Sequence, residues 1–454
     1  MSRTGALARP FGIRFRHPTQ LVVGAFAIAI AIGTFLLLLP IAKAGPGGAP
    51  FLTALFTSTS AVCVTGLIVV DTPGYWTPFG QVVIMLLIQF GGFGIMTGAA
   101  LLAMVVARRI GLRQRMATAT EAGALNVGDV RQVIAGVARL AVVFEGLGAI
   151  VLAARWWLEY EEPFGRAVWL GLFHSVSAYN NAGFALFSDS LTGFSRDPFI
   201  ILTISVLVVM GGLGYPVLRD LQRRGFSFSR WSLHSKLTVV TTAVLVVVGA
   251  AAFCLFEWTN PDTLGQFSTP ISLMEGLFHA VAPRTAGFNT VDYGLLREES
   301  VFVTNVLMLI GGGSASTAGG IKVTTFALLA FVIWSELRGE PDVNIFGRRT
   351  PTAVQRQAVA IALIAVGLVV VGTVALLAST TGVPLGPVLF EVVSAVGTVG
   401  LSQGITATLP GVAHIVIVVL MFVGRLGPHT FGAALALRQH DRMYRFPEER
   451  PIIG

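Results

Sequence analysis

Charge is scarce in this chain: Asp, Glu, Lys and Arg make up only 12% of its 454 residues, against 54% hydrophobic. Such a balance excludes a domain wrapped wholly in water, where about a quarter of residues carry charge. Cysteine is scarcer still, with Cys63 and Cys254 alone, both in apolar surroundings. Two small buried thiols cannot build a disulfide framework. A nucleotide-binding loop is lacking too, because GGGSASTAGGIK at 311–322 is glycine-rich but does not fit G-x4-G-K-[ST], and its flanks are apolar. No acid–base or nucleophile constellation stands out, which argues against an enzyme. His414 and His429 lie too far from any Cys or acidic cluster to suggest a metal site.

What the chain has in abundance is long apolar runs. Stretches near 21–40, 79–106, 133–157, 198–218, 237–257, 301–334, 355–379 and 411–437 are each long enough to cross a bilayer as a helix. The first is long and is followed by many more, so it reads as a retained span and not a cleavable signal.

Between the members of each pair of spans lies a repeated stretch: FTSTSAVCVTGL at 56–67, FHSVSAYNNAGF at 173–184, FHAVAPRTAGF at 278–288 and FEVVSAVGTVGL at 390–401. Three copies fit F-x3-S-A-x4-G, and the third is one residue shorter. Each copy is too short to cross and emerge on the far side. The predicted fold is therefore all-α and integral to the membrane: four pseudo-symmetric helix–pore loop–helix units, eight transmembrane helices in all, around one central pore. The expected organisation is a cytoplasmic N-terminus at 1–20, pore units at 21–118, 119–232, 233–345 and 346–440, and a C-terminal tail at 441–454.

Basic residues cluster at 3–16, 108–131, 219–236, 338–356 and 438–450, alternating with segments that carry Glu159, Glu161, Glu162, Asp189, Asp197, Asp262, Asp292, Glu298 and Glu299. The positive-inside rule then puts both termini and the three inter-unit loops in the cytoplasm, with all four repeated loops entering from outside. The net charge of +8 has the same origin. It marks topology and contact with membrane lipids, not a nucleic-acid footprint. Inverted repeats would suggest a carrier that rocks around a midplane site, whereas repeats running in one direction close around an axis.

In each loop a short helix, from about 52 to 61 in the first unit, aims its negative C-terminal end inward, toward a cation. Non-helical backbone at membrane depth is tolerated only where it is buried in protein or lines a wet cavity. The carbonyls of the extended residues that follow can replace water around a dehydrated ion. The candidates are Cys63, Val64, Thr65 and Gly66; Asn180, Asn181, Ala182 and Gly183; Arg284, Thr285, Ala286 and Gly287; and Gly397, Thr398, Val399 and Gly400. A single such glycine is more often a helix-packing contact, and it is the four copies in register that argue for carbonyl cages. His174 and His279 directly follow the repeat's Phe and read as packing residues of the short helices.

The second helices carry QFGGFG at 89–94, VMGGLG at 209–214, IGGGSA at 310–315 and VGRLG at 423–427, each marking a bend or close approach. In the third unit, five of the ten residues 311–320 are glycine, so a loop should interrupt that helix; the alternative is a flexible kink packed against neighbours. Lys322 follows, and a cation at that depth should face the cavity or pair with an acid or carbonyl. Arg425 stands where the first two units have Gly92 and Gly212. It reads as facing a water-filled cavity and repelling a permeating cation, or else as a structural arginine neutralised by a helix end, Glu391 or Glu145.

Four such units, a first loop reading SAVCVTGL, a third reading PRTAGFN, and the run GGGSASTAGGIKVTT together resemble the Trk/Ktr/HKT superfamily of potassium transporters, most like its ion-conducting KtrB-type subunits. The resemblance implies potassium uptake across the plasma membrane through a gated, channel-like pore, with K+ held at the carbonyls of the four segments. The glycines Gly66, Gly183, Gly287 and Gly400 match the potassium-selective pattern, while Cys63 departs from the more usual Ser or Thr. The resemblance also implies a gate made of Gly311, Gly312, Gly313, Ser314, Ala315, Ser316, Thr317, Ala318, Gly319 and Gly320 with Lys322 and Arg425. It brings in sodium as a candidate activator, a homodimer with the tail at 445–454 in its contact, and a cytosolic ring of KtrA/TrkA type that binds adenine nucleotides. An ion-coupled secondary carrier, moving K+ with Na+ or H+, is the alternative.

Overall fold

The structure, a computed structural model, describes residues 18–109, 127–225 and 227–427. The expected N-terminal segment up to residue 17, the end of the 411–437 run, His429 and the tail lie outside the described residues.

The first unit comprises α1 (Pro18–Leu38), the short α2 (Phe51–Val62) and α3 (Pro78–Arg109). The second has α4 (Val127–Leu158), the short α5 (Phe164–Tyr179), α6 (Pro198–Leu213) and α7 (Tyr215–Arg224). In the third, α8 (Leu233–Glu257) leads to the short α9 (Thr269–Val281), then α10 (Glu298–Leu309) and α11 (Val323–Leu337). The fourth holds α12 (Thr352–Ser379), the short α13 (Leu385–Gly397) and α14 (Gly411–Leu426). A two-residue β-hairpin, Asn344–Ile345 with Arg348–Arg349, joins units three and four.

Among the described residues, four helices are long and apolar enough to cross a membrane: Gln20–Leu38, Gln132–Leu158, Leu233–Glu257 and Thr352–Ser379. These are the leading helices of the four units. Their outer faces expose Phe35, Val142, Leu255 and Leu363, each more than 60% accessible. In water such surface would be a liability, whereas against lipid tails it costs nothing.

The second helices are where the chain is broken. The expected continuous run at 198–218 is bent by 96° between α6 and α7, because Gly214 sits at φ 88, outside the helical range. The 301–334 run is interrupted between Leu309 and Val323, as its glycines predict. In contrast, α3 passes through QFGGFG without a break. Its glycines serve close approach instead: a Cβ on Gly91 would run into the Val62 carbonyl, just as one on Gly211 would meet Tyr179 O and one on Gly424 would meet Val396 O. In three units, then, the second helix presses a glycine on the end of its own short helix. Packing between units forms a closed circuit through α3 with α4, α6 with α9, α10 with α13, and α14 with α2.

Candidate functional site

Three of the short helices end where their candidate segments begin, while α9 ends at Val281 with Ala282 and Pro283 before its segment, and the segments share one backbone signature. The second residue of each is left-handed (Val64 φ 53, Asn181 φ 59, Thr285 φ 75, Thr398 φ 51), as is the terminal glycine (Gly66 φ 92, Gly183 φ 71, Gly287 φ 74, Gly400 φ 98). This corrects the expectation of extended chain. The segments start as helix ends, with Cys63 and Asn180 in right-handed cap geometry and Gly397 the last residue of α13. A left-handed β-branched residue costs about 1–3 kcal/mol and persists only where its surroundings hold it. Here the short helices do so: Thr65 N bonds Ser60 O at 2.8 Å, Ala182 N bonds Ser177 O at 2.7 Å, Ala286 N bonds Ala282 O at 2.9 Å and Val399 N bonds Ser394 O at 2.8 Å.

With their N–H groups turned back to the helices, the segments present their carbonyls elsewhere. Among the described residues, no hydrogen bond is directed at the carbonyls of Val64, Thr65, Asn181, Ala182, Thr285, Ala286, Thr398 or Val399, all of which belong to buried residues. Buried carbonyls ordinarily have partners. The oxygen before each glycine also abuts a neighbouring glycine: Cβ atoms on Gly66, Gly183, Gly287 and Gly400 would meet the carbonyls of Ala182, Ala286, Val399 and Thr65 in turn. That series returns to its start, so four carbonyls and four glycines form one ring. All four glycines line a cavity of about 370 Å³ that also takes in Asp189, Asp292, Ser402 and Thr406.

On the other side of the ring lies the chain between α10 and α11. It is a folded loop and not a kink, closed by a parallel bridge between Ile310 and Ile321. Gly313 N donates to Gly212 O at 2.7 Å and Thr317 N to Gly211 O at 3.3 Å. The Thr317 hydroxyl reaches Tyr179 O at 3.2 Å, and a Cβ on Gly319 would overlap the Thr398 hydroxyl. The expected carbonyl partner of Lys322 is Ala318 O, at 2.5 Å.

Arg425 is 2% exposed. It donates to the Thr317 carbonyl through Nη1 and to Gly91 O through Nη2 at 3.0 Å. Of the alternatives raised by sequence, pairing with Glu145 or Glu391 is not what occurs. Glu145 accepts from Gln89 Nε2 at 3.1 Å and Asn180 Nδ2 at 3.0 Å, and Glu391 accepts from Ser402 and Thr406. Arg425 instead ties the loop of unit three to helix α3 of unit one.

Some sequence candidates turn away from the ring. The Asn180 side chain joins Gln89 and Glu145, and Arg284 reaches back to Thr242 of α8, at 3.4 Å to its carbonyl and 3.3 Å to its hydroxyl. Only their backbones belong to the segments. Sequence reading missed Ser60 and Ser394, whose hydroxyls each accept the N–H of the segment's glycine, Gly66 or Gly400, at 3.0 Å. The signal was the Ser of F-x3-S-A-x4-G. His174 and His279 are not packing residues alone, since both rings are hydrogen-bonded at both nitrogens.

Comparison with known proteins follows the same lines. Residues 8–440 match the family described as TrkH: Cation transport protein. The chain is 38% identical over 442 residues to Ktr system potassium uptake protein B of Bacillus subtilis, covering 97% of this chain and 98% of that protein. It is 36% identical to the protein of the same description from Vibrio alginolyticus, over 96% of this chain and 94% of that one. The structure of the potassium transporter TrkH from Vibrio parahaemolyticus superposes with a TM-score of 0.75 at 19% identity, covering 94% of this chain and 87% of that one.

Proposed function

The chain belongs to the TrkH family of cation transport proteins, among the Trk and Ktr potassium transporters, and on that premise we propose that it takes up potassium through a selective, gated, channel-like pore. The four units, each contributing a leading helix, a short helix with its loop, and a second helix, stand around one axis. Cys63–Gly66, Asn180–Gly183, Arg284–Gly287 and Gly397–Gly400 form the filter, and K+ sits among their carbonyls. The observation that carries this reading is the ring of unbonded carbonyls of buried residues, each set against a glycine of a neighbouring unit. An array of that kind replaces the hydration shell of a cation and has no evident structural purpose otherwise.

The loop at 311–320, with Lys322 and Arg425, is the gate. Its contacts to three units support this: backbone bonds to unit two, and Arg425 linking it to units four and one. A cytosolic partner of the KtrA/TrkA type, binding adenine nucleotides, would act on this loop, since the chain has no nucleotide motif of its own and its relatives are described as parts of a Ktr system. The protein is a plasma-membrane homodimer with cytoplasmic termini, and sodium is a candidate activator. The test is potassium flux into liposomes holding the purified protein with a potassium gradient alone. Flux without any sodium or proton gradient is expected; an absolute requirement for a second ion's gradient supports the coupled carrier instead.

A further inference from the structure

Directly after the first Phe of the four repeats stand Thr57, His174, His279 and Glu391, all buried. The last three reach the chain just as it leaves the ring. His174 accepts the Leu186 N–H on Nε2 at 3.2 Å while Nδ1 lies 2.8 Å from Leu170 O. His279 Nε2 lies 2.9 Å from the Thr290 hydroxyl, which itself donates to Glu275, and Nδ1 lies 2.8 Å from the Tyr293 hydroxyl. Glu391 accepts from Ser402 and, at 3.0 Å, from Thr406. Leu186 and Thr290 are each three residues past their glycine, and Ser402 is two past Gly400.

We propose that His174, His279 and Glu391 are positioning residues for ion selection, fixing the outer ends of the second, third and fourth filter segments so that their carbonyls cannot close around a smaller cation. The proposal rests on the filter reading above. Its physical basis is that each segment is held twice. On the inner side, N–H groups bond the short helix; two or three residues beyond the glycine, a buried polar side chain clamps the exit strand. A carbonyl cage distinguishes ions by size and field only if it resists collapse, and a buried hydrogen bond resists because leaving its donor unpaired is costly. The strands so clamped contribute Ala185, Phe187, Tyr293, Ser402 and Thr406 to the cavity wall. Unit one, with Thr57 at this position, uses the Ser60 hydroxyl bonded to Leu67 O at 2.8 Å, one residue past Gly66.

The test compares K+ and Na+ fluxes in proteoliposomes at equal incorporated protein. His174→Phe keeps a ring beside Trp156 and Phe187, whose centroids lie 5.0 and 5.2 Å away, but removes the acceptor for Leu186 N–H. His174→Gln restores an acceptor. The K+/Na+ flux ratio should fall about threefold or more in His174→Phe and recover in His174→Gln. Thr290→Val, which cuts the His279 bond from the strand side, should lower the ratio similarly and decides the matter if His174→Phe does not fold. A purely structural role would lower yield and total flux at an unchanged ratio. Gly287→Ser serves as the filter reference. If it loses selectivity while His174→Phe and Thr290→Val keep the wild-type ratio, the clamps are not positioning residues. If Gly287→Ser also keeps the ratio, the filter reading fails and this proposal fails with it.

Discussion

A single carbon atom is too much at Gly66: a Cβ there would collide with the Ala182 carbonyl, and φ 92 is a conformation few other residues adopt. The same holds at Gly183, Gly287 and Gly400, so glycine is required by geometry on two counts. Arg425 is the other residue on which function turns. Its two bonds, to the Thr317 and Gly91 carbonyls, tie the 311–320 loop to α3, and on the proposed reading that loop is the gate. At 4 Å a like charge repels a cation by about 4 kcal/mol at an effective dielectric of 20, and each charge-assisted bond adds about 1.5–3 kcal/mol to the closed arrangement. Since about 1.4 kcal/mol is a tenfold rate change, Arg425→Ala should raise potassium flux about tenfold or more, read as initial uptake into proteoliposomes. A folded Arg425→Ala protein with unchanged or lower flux contradicts this assignment.

The elements show why part of the site could be read from sequence and part could not. In the first and fourth units the spacing F-x3-S-A-x4-G matches a hydrogen bond, the glycine N–H to the serine six residues before it, whereas Ser177 of the second copy makes no such bond; the repeat itself was visible as text. The glycines of 311–320 likewise declared a broken helix, because each costs about 1 kcal/mol relative to alanine inside one. What stayed hidden were contacts between distant residues. The partners of Glu145, Gln89 and Asn180, lie 56 and 35 positions away, and a buried histidine looks alike in sequence whether it packs or clamps. The bend at Gly214 was hidden too, since VMGGLG and QFGGFG look equivalent yet only the former ends its helix. Two outcomes follow at this scale. Deleting part of 311–320 should raise flux and reduce its dependence on a cytosolic partner; a deletion that leaves both as they were shows that the loop is not a gate. Gly424→Ala, which forces a methyl onto Val396 O, should lower thermal stability in detergent by about 1–3 kcal/mol, and an unshifted melting transition would show that α14 moves aside freely.

For the whole molecule, the scarcity of charge and its placement carry the orientation. Basic clusters and acid-bearing segments alternate along the chain, so the positive-inside rule predicts residue 161 outside and residue 229 inside. Glu161→Cys should react with an impermeant maleimide on intact cells, and Ser229→Cys only after permeabilisation; the reverse pattern would invert the topology. Cys63 is buried and Cys254 half-buried, so background labelling should be low. Ion selection by the four-glycine ring is tested most directly by the reversal potential of the reconstituted protein with K+ on one side and Na+ on the other, wild type against Gly66→Ser. The predicted result is a wild-type potential set by K+, shifted toward zero in Gly66→Ser by an amount equal to about a tenfold loss of the permeability ratio, the effect of roughly 1.4 kcal/mol. The contradicting result is a correctly folded, conducting Gly66→Ser protein whose reversal potential equals that of the wild type.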